Sequence, residues 1–265
     1  MRVRQGDVIL MNQPGHTRLS FFSFFLSPGR DFFLGLEACL STGRLARLGL
    51  VFLSFIFSWW LYVPVHELLH ALGCIVSGGT VSRLELSPVY GALFLRRIFP
   101  FVSSGSEYAG RLSGFETGGS DAVFLVTDFL PYLLTIFLGV PLLRSIRRGY
   151  ASPLRKCIAF GAAVPIAYAP FMSVAGDYYE MGSIIVSRSA AAVMPAVRPE
   201  RWRSDDLFRL ADSLFLSEAG WSKQDLSAVV ASVVLGVVLS FATYGAGAAW
   251  DALWRKIRQG LTPCL

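Results

Sequence analysis

Charged side chains are scarce in this sequence, and their scarcity excludes most soluble folds. Asp, Glu, Lys and Arg make up 16% of the 265 residues, whereas 54% of the residues are hydrophobic. Soluble domains carry charges on about a quarter of their residues. The mean hydropathy of +0.53 instead predicts a multi-pass membrane protein. We therefore expect the chain in the cell membrane, in contact with the lipid bilayer.

Closely spaced cysteines are also lacking, and histidines are few. The four cysteines contain no Cys-x-x-Cys pair, so the sequence predicts neither a disulfide framework nor a zinc knuckle. Three histidines are too few for a membrane oxidoreductase with a di-iron histidine cluster. The net charge of +6 comes without the interleaved basic and aromatic residues of a nucleic-acid groove, so no nucleic-acid partner is expected.

Long apolar runs are what the sequence has in place of charge. Each of four runs approaches or exceeds the roughly 20 residues that a helix needs to cross a bilayer. Their predicted ranges are 48–76, 122–143, 157–175 and 227–249. The fold class that follows is an all-α membrane protein, a multi-pass helical bundle of about four spans. No internal repeat accompanies the spans, which argues against a transporter.

The chain divides into an N-terminal arm and a core. Residues 1–47 predict an arm on the membrane surface, because their aromatic clusters are too short and interrupted to cross the bilayer. Residues 48–265 form the core. Within the core, the polar segment 198–224 predicts an interfacial amphipathic helix that begins after Ser204-Asp205-Asp206.

A short β-hairpin is predicted directly after the first span. Residues 80–86 have strand-type composition, 87–91 have a turn composition, and 92–97 predict the returning strand. Residues 103–121 are polar and rich in Gly and Ser, which predicts a loop. An exposed edge of the hairpin would hold an extended peptide by strand addition; the alternative is a hairpin with a structural role alone.

The first span carries, towards its end, the pattern His66-Glu67-Leu-Leu-His70. Residues four apart lie on one face of a helix, so the two imidazoles can bind one Zn²⁺, and the glutamate between them can take a proton from a water held there. The bare pattern occurs by chance, but ionisable groups at the end of a span are costly unless they bind a metal, pair or face a cavity. The alternative is that the three side chains only decorate the membrane interface.

A catalytic zinc site needs a third protein ligand and an open position. If every span crosses the bilayer once, the second and third spans bring Asp128 and Asp177 to the same level as the histidine motif. We favour Asp177 as the third ligand, with Asp128 and Glu180 as alternatives. A competing role for Asp177 is to cap the helix that follows it.

The motif and the segment after it resemble one known family. The sequences His66-Glu-Leu-Leu-His70-Ala-Leu-Gly and Ser77-Gly-Gly-Thr-Val-Ser-Arg-Leu-Glu-Leu86 resemble the site-2 protease-like intramembrane zinc metalloproteases. This resemblance implies a zinc ion bound by His66, His70 and a later aspartate, which falls on Asp177, and a general base at Glu67.

The expected function combines the motif with this resemblance. It is an integral-membrane zinc metalloendopeptidase that cleaves membrane-spanning or membrane-adjacent segments of a membrane protein or peptide substrate. The alternative is a catalytically inactive membrane scaffold or metal-binding protein that retains the fold.

Overall fold

The computed structural model describes residues 21–40, 46–106, 108–149, 152–193, 199–216 and 221–261. Residues 1–20 and 41–45 of the predicted arm, and Cys264, lie outside the described residues. Helices make up most of the described structure. In chain order they are α1 (Phe21–Leu40), α2 (Ala46–Val76), α3 (Ala92–Leu95), α4 (Asp121–Phe129), α5 (Val140–Gly149), α6 (Pro153–Ala167), α7 (Ala169–Met172), α8 (Asp177–Val193), α9 (Leu207–Leu216) and α10 (Lys223–Leu261).

Three described helical stretches are long and apolar enough to span a membrane, which indicates a membrane protein. They are Ala46–Val76, Asp121–Arg148 and Lys223–Gly260. The second is continuous because a 3-10 turn (Leu130–Tyr132) and a π-helical turn (Thr135–Gly139) join α4 to α5. These stretches contain the first, second and fourth predicted spans.

The third predicted span, 157–175, is two consecutive helices instead of one. Helix α6 has 15 residues, about 22 Å at 1.5 Å per residue, which is shorter than a hydrocarbon core of about 30 Å. The helix ends at Ala167, and Pro170 then lies at the start of α7, where a proline has no N–H to give to a preceding turn. The count of four spans therefore stays a prediction.

A small three-stranded sheet follows α2. Its strands are β1 (Thr80–Leu86), β2 (Val102–Ser104) and β3 (Gly110–Glu116), in the order β2-β1-β3. Strand β1 pairs with β2 in parallel and with β3 in antiparallel orientation. The prediction of a strand over 80–86 is confirmed. The predictions of a returning strand over 92–97 and of a loop over 103–121 are wrong.

Glycines account for both errors. Gly91 has a φ of 78°, a left-handed conformation from which the chain starts helix α3 instead of a strand. In β3, a Cβ at Gly114 would lie 2.9 Å from the backbone nitrogen of Arg83 on β1. The glycines of β3 therefore mark close approach of the neighbouring strand, whereas in the sequence they resemble a loop composition.

The end of α2 places the sheet beside the helix. Gly78, at φ 102°, is the left-handed residue that terminates the helix, and the Gly79 N–H donates to the Cys74 carbonyl at 2.8 Å. The sheet then packs its buried side chains, among them Leu84 and Leu86, against Val63 of α2. This cluster fixes β1 and its neighbours next to the half of α2 that carries the histidine motif.

Helix α8 packs mainly on α10, through two glycines. A Cβ at Gly182 would collide with the Ser232 carbonyl, and one at Gly236 would lie 2.7 Å from the Tyr178 carbonyl. Small residues let helix backbones approach closely where no hydrophobic force acts between spans. The first turn of α8 is thereby held against the middle of α10.

Helix α1, from the predicted arm, is attached to the bundle by buried charge. Asp31 accepts from Arg144 Nε at 3.1 Å and from the Tyr244 hydroxyl at 3.1 Å. Asp31 is only 6% exposed, so this carboxylate depends on those two donors. At the other end of the chain, α9 confirms a helix directly after Ser204-Asp205-Asp206, where Asp206 Oδ1 accepts from the Phe208 N–H at 2.7 Å. That this segment lies at the membrane interface stays a prediction.

Candidate metal centre

The structure brings His66, His70 and Asp177 together. The two imidazole Nε2 atoms are 3.1 Å apart, and Asp177 Oδ2 lies 3.5 Å from the first and 3.4 Å from the second. The three side chains are 12%, 9% and 25% exposed, in the same order. Two helices, α2 and α8, thus contribute three ligand atoms to one mostly buried point.

The spacing of these atoms fits a zinc ion. Bonds of about 2.0–2.1 Å in tetrahedral geometry place ligand atoms about 3.3 Å from one another. The observed separations of 3.1, 3.4 and 3.5 Å bracket that value. Two nitrogens and one carboxylate oxygen are also the donor set of catalytic zinc sites, which leave one position open.

The second nitrogen of each imidazole has its own partner. His70 Nδ1 lies 2.8 Å from the Thr127 carbonyl oxygen, and His66 Nδ1 lies 2.8 Å from the Tyr62 hydroxyl. Because a carbonyl only accepts, the proton of neutral His70 is on Nδ1, and the lone pair of Nε2 faces the other two ligand atoms. Such hydrogen bonds orient metal-binding imidazoles.

The carboxylate ligand is held in the same way. The Tyr132 hydroxyl donates to Asp177 Oδ2 at 2.5 Å. Burial raises the pKa of Asp177, but the attraction of His70 and His66 in their protonated forms outweighs it and holds that pKa well below its usual range. The ionised carboxylate is the form that binds a metal ion.

Beneath these ligands lies a small aromatic cluster. Tyr62 of α2, Tyr132 of the 3-10 turn and Tyr178 of α8 pack with Ala169 and Met181. The cluster joins the elements that carry the ligands, so it fixes the distance between α2 and the start of α8. Within this cluster, the Tyr62 hydroxyl forms a hydrogen bond with His66, and the Tyr132 hydroxyl donates to Asp177.

Above the ligands opens a cleft of about 870 Å³. Glu67 lines the cleft together with His70 and Asp177, and strand β3 forms one wall. A Cβ at Gly110 of β3 would collide with the Glu67 side chain, so only glycine lets the strand backbone lie directly against this carboxylate. The acidic Glu67 side chain, two of the three converging side chains and the edge of strand β3 thus line one cleft.

The two alternative ligands lie elsewhere in the cleft. Asp128 and Glu180 line it, but neither belongs to the converging group of His66, His70 and Asp177. Burial raises the pKa of Glu180, and the charges of Asp177 and Asp205 add to that rise. That the converging group binds zinc, and that Glu67 is the base, stay predictions.

Sequence reasoning missed the supporting residues Tyr62, Tyr132 and Gly110. The sequence could have indicated Tyr62, because this residue precedes His66 by four positions and so lies on the same face of the helix. Tyr132 follows Asp128 by four positions but reaches Asp177 of another helix, which no local pattern shows. Gly110 resembles an ordinary loop glycine until the strand is known.

Comparison with known proteins adds nothing to these geometric observations. No protein-family model, curated protein or solved structure matches the chain.

Proposed function

We propose that the protein is an integral-membrane zinc metalloendopeptidase, a multi-pass protein of the cell membrane. Its substrates are membrane-spanning or membrane-adjacent segments of other polypeptides. The observation that carries the proposal is the convergence of His66, His70 and Asp177 beside a cleft that Glu67 lines together with His70 and Asp177. The resemblance of the motif to site-2 protease-like enzymes supports the same reading.

The ligand group would hold one zinc ion. When bound, zinc supplies Lewis-acid chemistry, which makes a water more acidic and a carbonyl carbon more electrophilic. Tyr62 and the Thr127 carbonyl keep the imidazoles in position, and Tyr132 keeps the carboxylate in position. Because these partners are in place in the protein itself, little reorganisation is needed on binding.

Glu67 would perform the proton transfers. Its carboxylate accepts a proton from the attacking water while the water oxygen forms a bond to the peptide carbonyl carbon. It then gives that proton to the amide nitrogen, the C–N bond breaks, and the products are a carboxylate and an amine. One side chain serves both steps because the same proton moves from water to leaving group.

Strand β3 would bind the substrate. It is an edge strand of the sheet, bonded to β1 on one side, and residues 110–113 line the cleft. An edge strand offers N–H and C=O groups to an extended peptide, which adds to the sheet as a further strand. Because Gly110 lies against Glu67, a peptide on this edge passes beside the proposed base.

The test is cleavage of a co-expressed single-span substrate, with zinc measured in the purified protein. We expect cleavage by the wild type, none by Glu67→Gln, and bound zinc in both. Glu37→Gln on the exposed face of α1 makes the same chemical change away from the site and should cleave normally. Cleavage that persists in Glu67→Gln would refute the mechanism, and zinc without any cleavage would support the inactive scaffold.

A further inference from the structure

An uncompensated carboxylate lies in the cleft beyond the metal ligands. Asp128 of α4 is 5% exposed, and its buried Oδ2 atom has no hydrogen-bond partner. A buried carboxylate oxygen without a donor is costly. Asp128 nevertheless lines the cleft, and rotation of its carboxyl group would bring this oxygen to a donor that enters there.

A second carboxylate accompanies it. Glu180 of α8 lines the same cleft, half-buried, on a helix that packs against α4. Neither side chain has an ion-pair partner within 4.0 Å among the residues that the structure describes. Two acidic groups that share a low-dielectric wall are stabilised by a cation between them.

The arginines of the cleft do not supply that cation. Arg111 pairs with Asp205 at 2.5 Å, and Arg203 pairs with Asp121 through two hydrogen bonds of 2.9 and 3.0 Å. Arg209, the third arginine that lines the cleft, lies 4.0 Å from the same Asp205 carboxylate. The Arg203–Asp121 pair is bidentate, a geometry that is specific and strong. The positive charges at the wall are therefore committed to other carboxylates, while Asp128 and Glu180 remain for an incoming group.

We infer that Asp128 and Glu180 form a subsite for one basic side chain, lysine or arginine, of the polypeptide that occupies the cleft. The inference deepens the proposed endopeptidase function, on which it rests for the identity of the occupant. A lysine or arginine head group carries several N–H donors, enough for the free Asp128 oxygen and for Glu180 together.

The position of the pair sets where in the substrate the basic residue falls. Glu180 follows the ligand Asp177 by three residues, about 4.5 Å along α8. Asp128 directly follows Thr127, whose carbonyl holds His70. Both carboxylates are thus close to the ligand group, and the basic side chain belongs to a residue within one or two positions of the cleaved bond.

A second metal ion fits this pair less well than an organic cation. Among the described residues, three ligand atoms of His, Cys, Asp or Glu converge only at His66, His70 and Asp177. An ion between Asp128 and Glu180 would have two protein side chains for ligands, fewer than structural or catalytic zinc sites use. A lysine or arginine side chain of a bound peptide carries a positive charge and is held in place by the rest of that peptide.

The experiment measures peptide binding without cleavage. Zinc-loaded Glu67→Gln protein in lipid nanodiscs is titrated against two short fluorescein-labelled peptides, identical except that one lysine is replaced by norleucine. Empty nanodiscs correct for partition into lipid. We expect the lysine peptide to bind more tightly by on the order of ten-fold, and Asp128→Asn and Glu180→Gln each to reduce this ratio to near one.

The matched control is Asp212→Asn, the same change at an exposed carboxylate of α9 outside the cleft lining, which should keep the ratio. Zinc content is measured for every variant, and if Asp128→Asn fails to fold, Glu180→Gln decides. The inference is overturned if Glu67→Gln protein binds the two peptides with nearly equal affinity. It is also overturned if both Asp128→Asn and Glu180→Gln retain the preference for the lysine peptide. A second zinc equivalent lost in Asp128→Asn would assign the pair to a metal instead.

These outcomes are separable from those of the proposed function. Protein with intact Glu67 that binds the lysine peptide selectively yet never cuts it refutes the endopeptidase and leaves the cation subsite standing. Protein that cuts both peptides equally, with no difference in binding, refutes the subsite and leaves the endopeptidase standing.

Discussion

Removal of one hydroxyl, in Tyr132→Phe, should weaken zinc binding without touching a ligand. The Tyr132 side chain is fully buried, and its hydroxyl donates to the Asp177 oxygen that faces both imidazoles. Without that donor, Asp177 loses its orientation, and its oxygen is left to the metal alone. Loss of such a partner costs about ten- to a hundred-fold in metal affinity, or roughly 1.4–2.8 kcal/mol.

Tyr178→Phe is the matched control. Tyr178 is also fully buried, its ring packs on that of Tyr132, and its hydroxyl donates to Thr243 Oγ1 at 2.8 Å, away from every ligand. Each variant loses one buried hydrogen bond, so each should lose about 1 kcal/mol of stability. Only Tyr132→Phe should lose affinity for zinc.

The assay is competition for zinc between the detergent-purified protein and a chromophoric chelator, with thermal unfolding of the metal-free forms as the measure of stability. Equal zinc affinity in Tyr132→Phe and wild type would refute the role given to the hydroxyl. An equal loss in both variants would show that the effect comes from the aromatic cluster as a whole.

Three further changes test separate parts of the structure. Asp177→Asn should lower zinc affinity by on the order of a hundred-fold or more, because one of three ligands is lost, whereas Asp128→Asn should leave it unchanged in the same competition assay. Gly110→Ala should reduce substrate cleavage at unchanged zinc content, because the new methyl displaces Glu67. Asp31→Ala should destabilise the protein by about 1–3 kcal/mol, since it leaves the buried Tyr244 hydroxyl without its acceptor, and thermal unfolding measures this loss.

For each of these three predictions, one experimental outcome would contradict it. Zinc affinity that falls in Asp128→Asn and not in Asp177→Asn would exchange the roles of the two carboxylates. Normal cleavage by Gly110→Ala would show that the strand can move away from Glu67. An unchanged melting temperature in Asp31→Ala would mean that α1 is attached by its apolar contacts alone.

The histidine pair was predictable because its geometry is local. Helical spacing alone places His66 and His70 on one face, and the apolar residues on both sides of the motif keep it helical. The approach of Asp177 is a long-range contact, and the sequence indicated it only through the level at which each span ends. That argument did not separate Asp177 from Asp128; the structure separates them, because only Asp177 lies within 3.5 Å of both imidazole Nε2 atoms.

The sheet was only partly predictable, for a different reason. Strand β1 has a composition that favours strands by itself, and its prediction over 80–86 is confirmed. Strand β3 contains Gly110 and Gly114, whose small size serves contacts with Glu67 and with β1. These glycines are required by contacts with residues distant in sequence. The sequence alone does not show those contacts, so the glycine-containing strand has the composition of a loop.

The glycine contact between α8 and α10 links the metal ligands to the thickness of the surrounding lipid. Helix α10 is 39 residues long, about 58 Å, and a long apolar helix responds to a thinner bilayer by tilting. Because α8 packs closely on α10 through Gly182 and Gly236, a tilt of α10 would carry α8 with it. This movement would shift Asp177 relative to the two imidazoles on α2. We therefore expect lipid chain length to alter the zinc affinity of the proposed site.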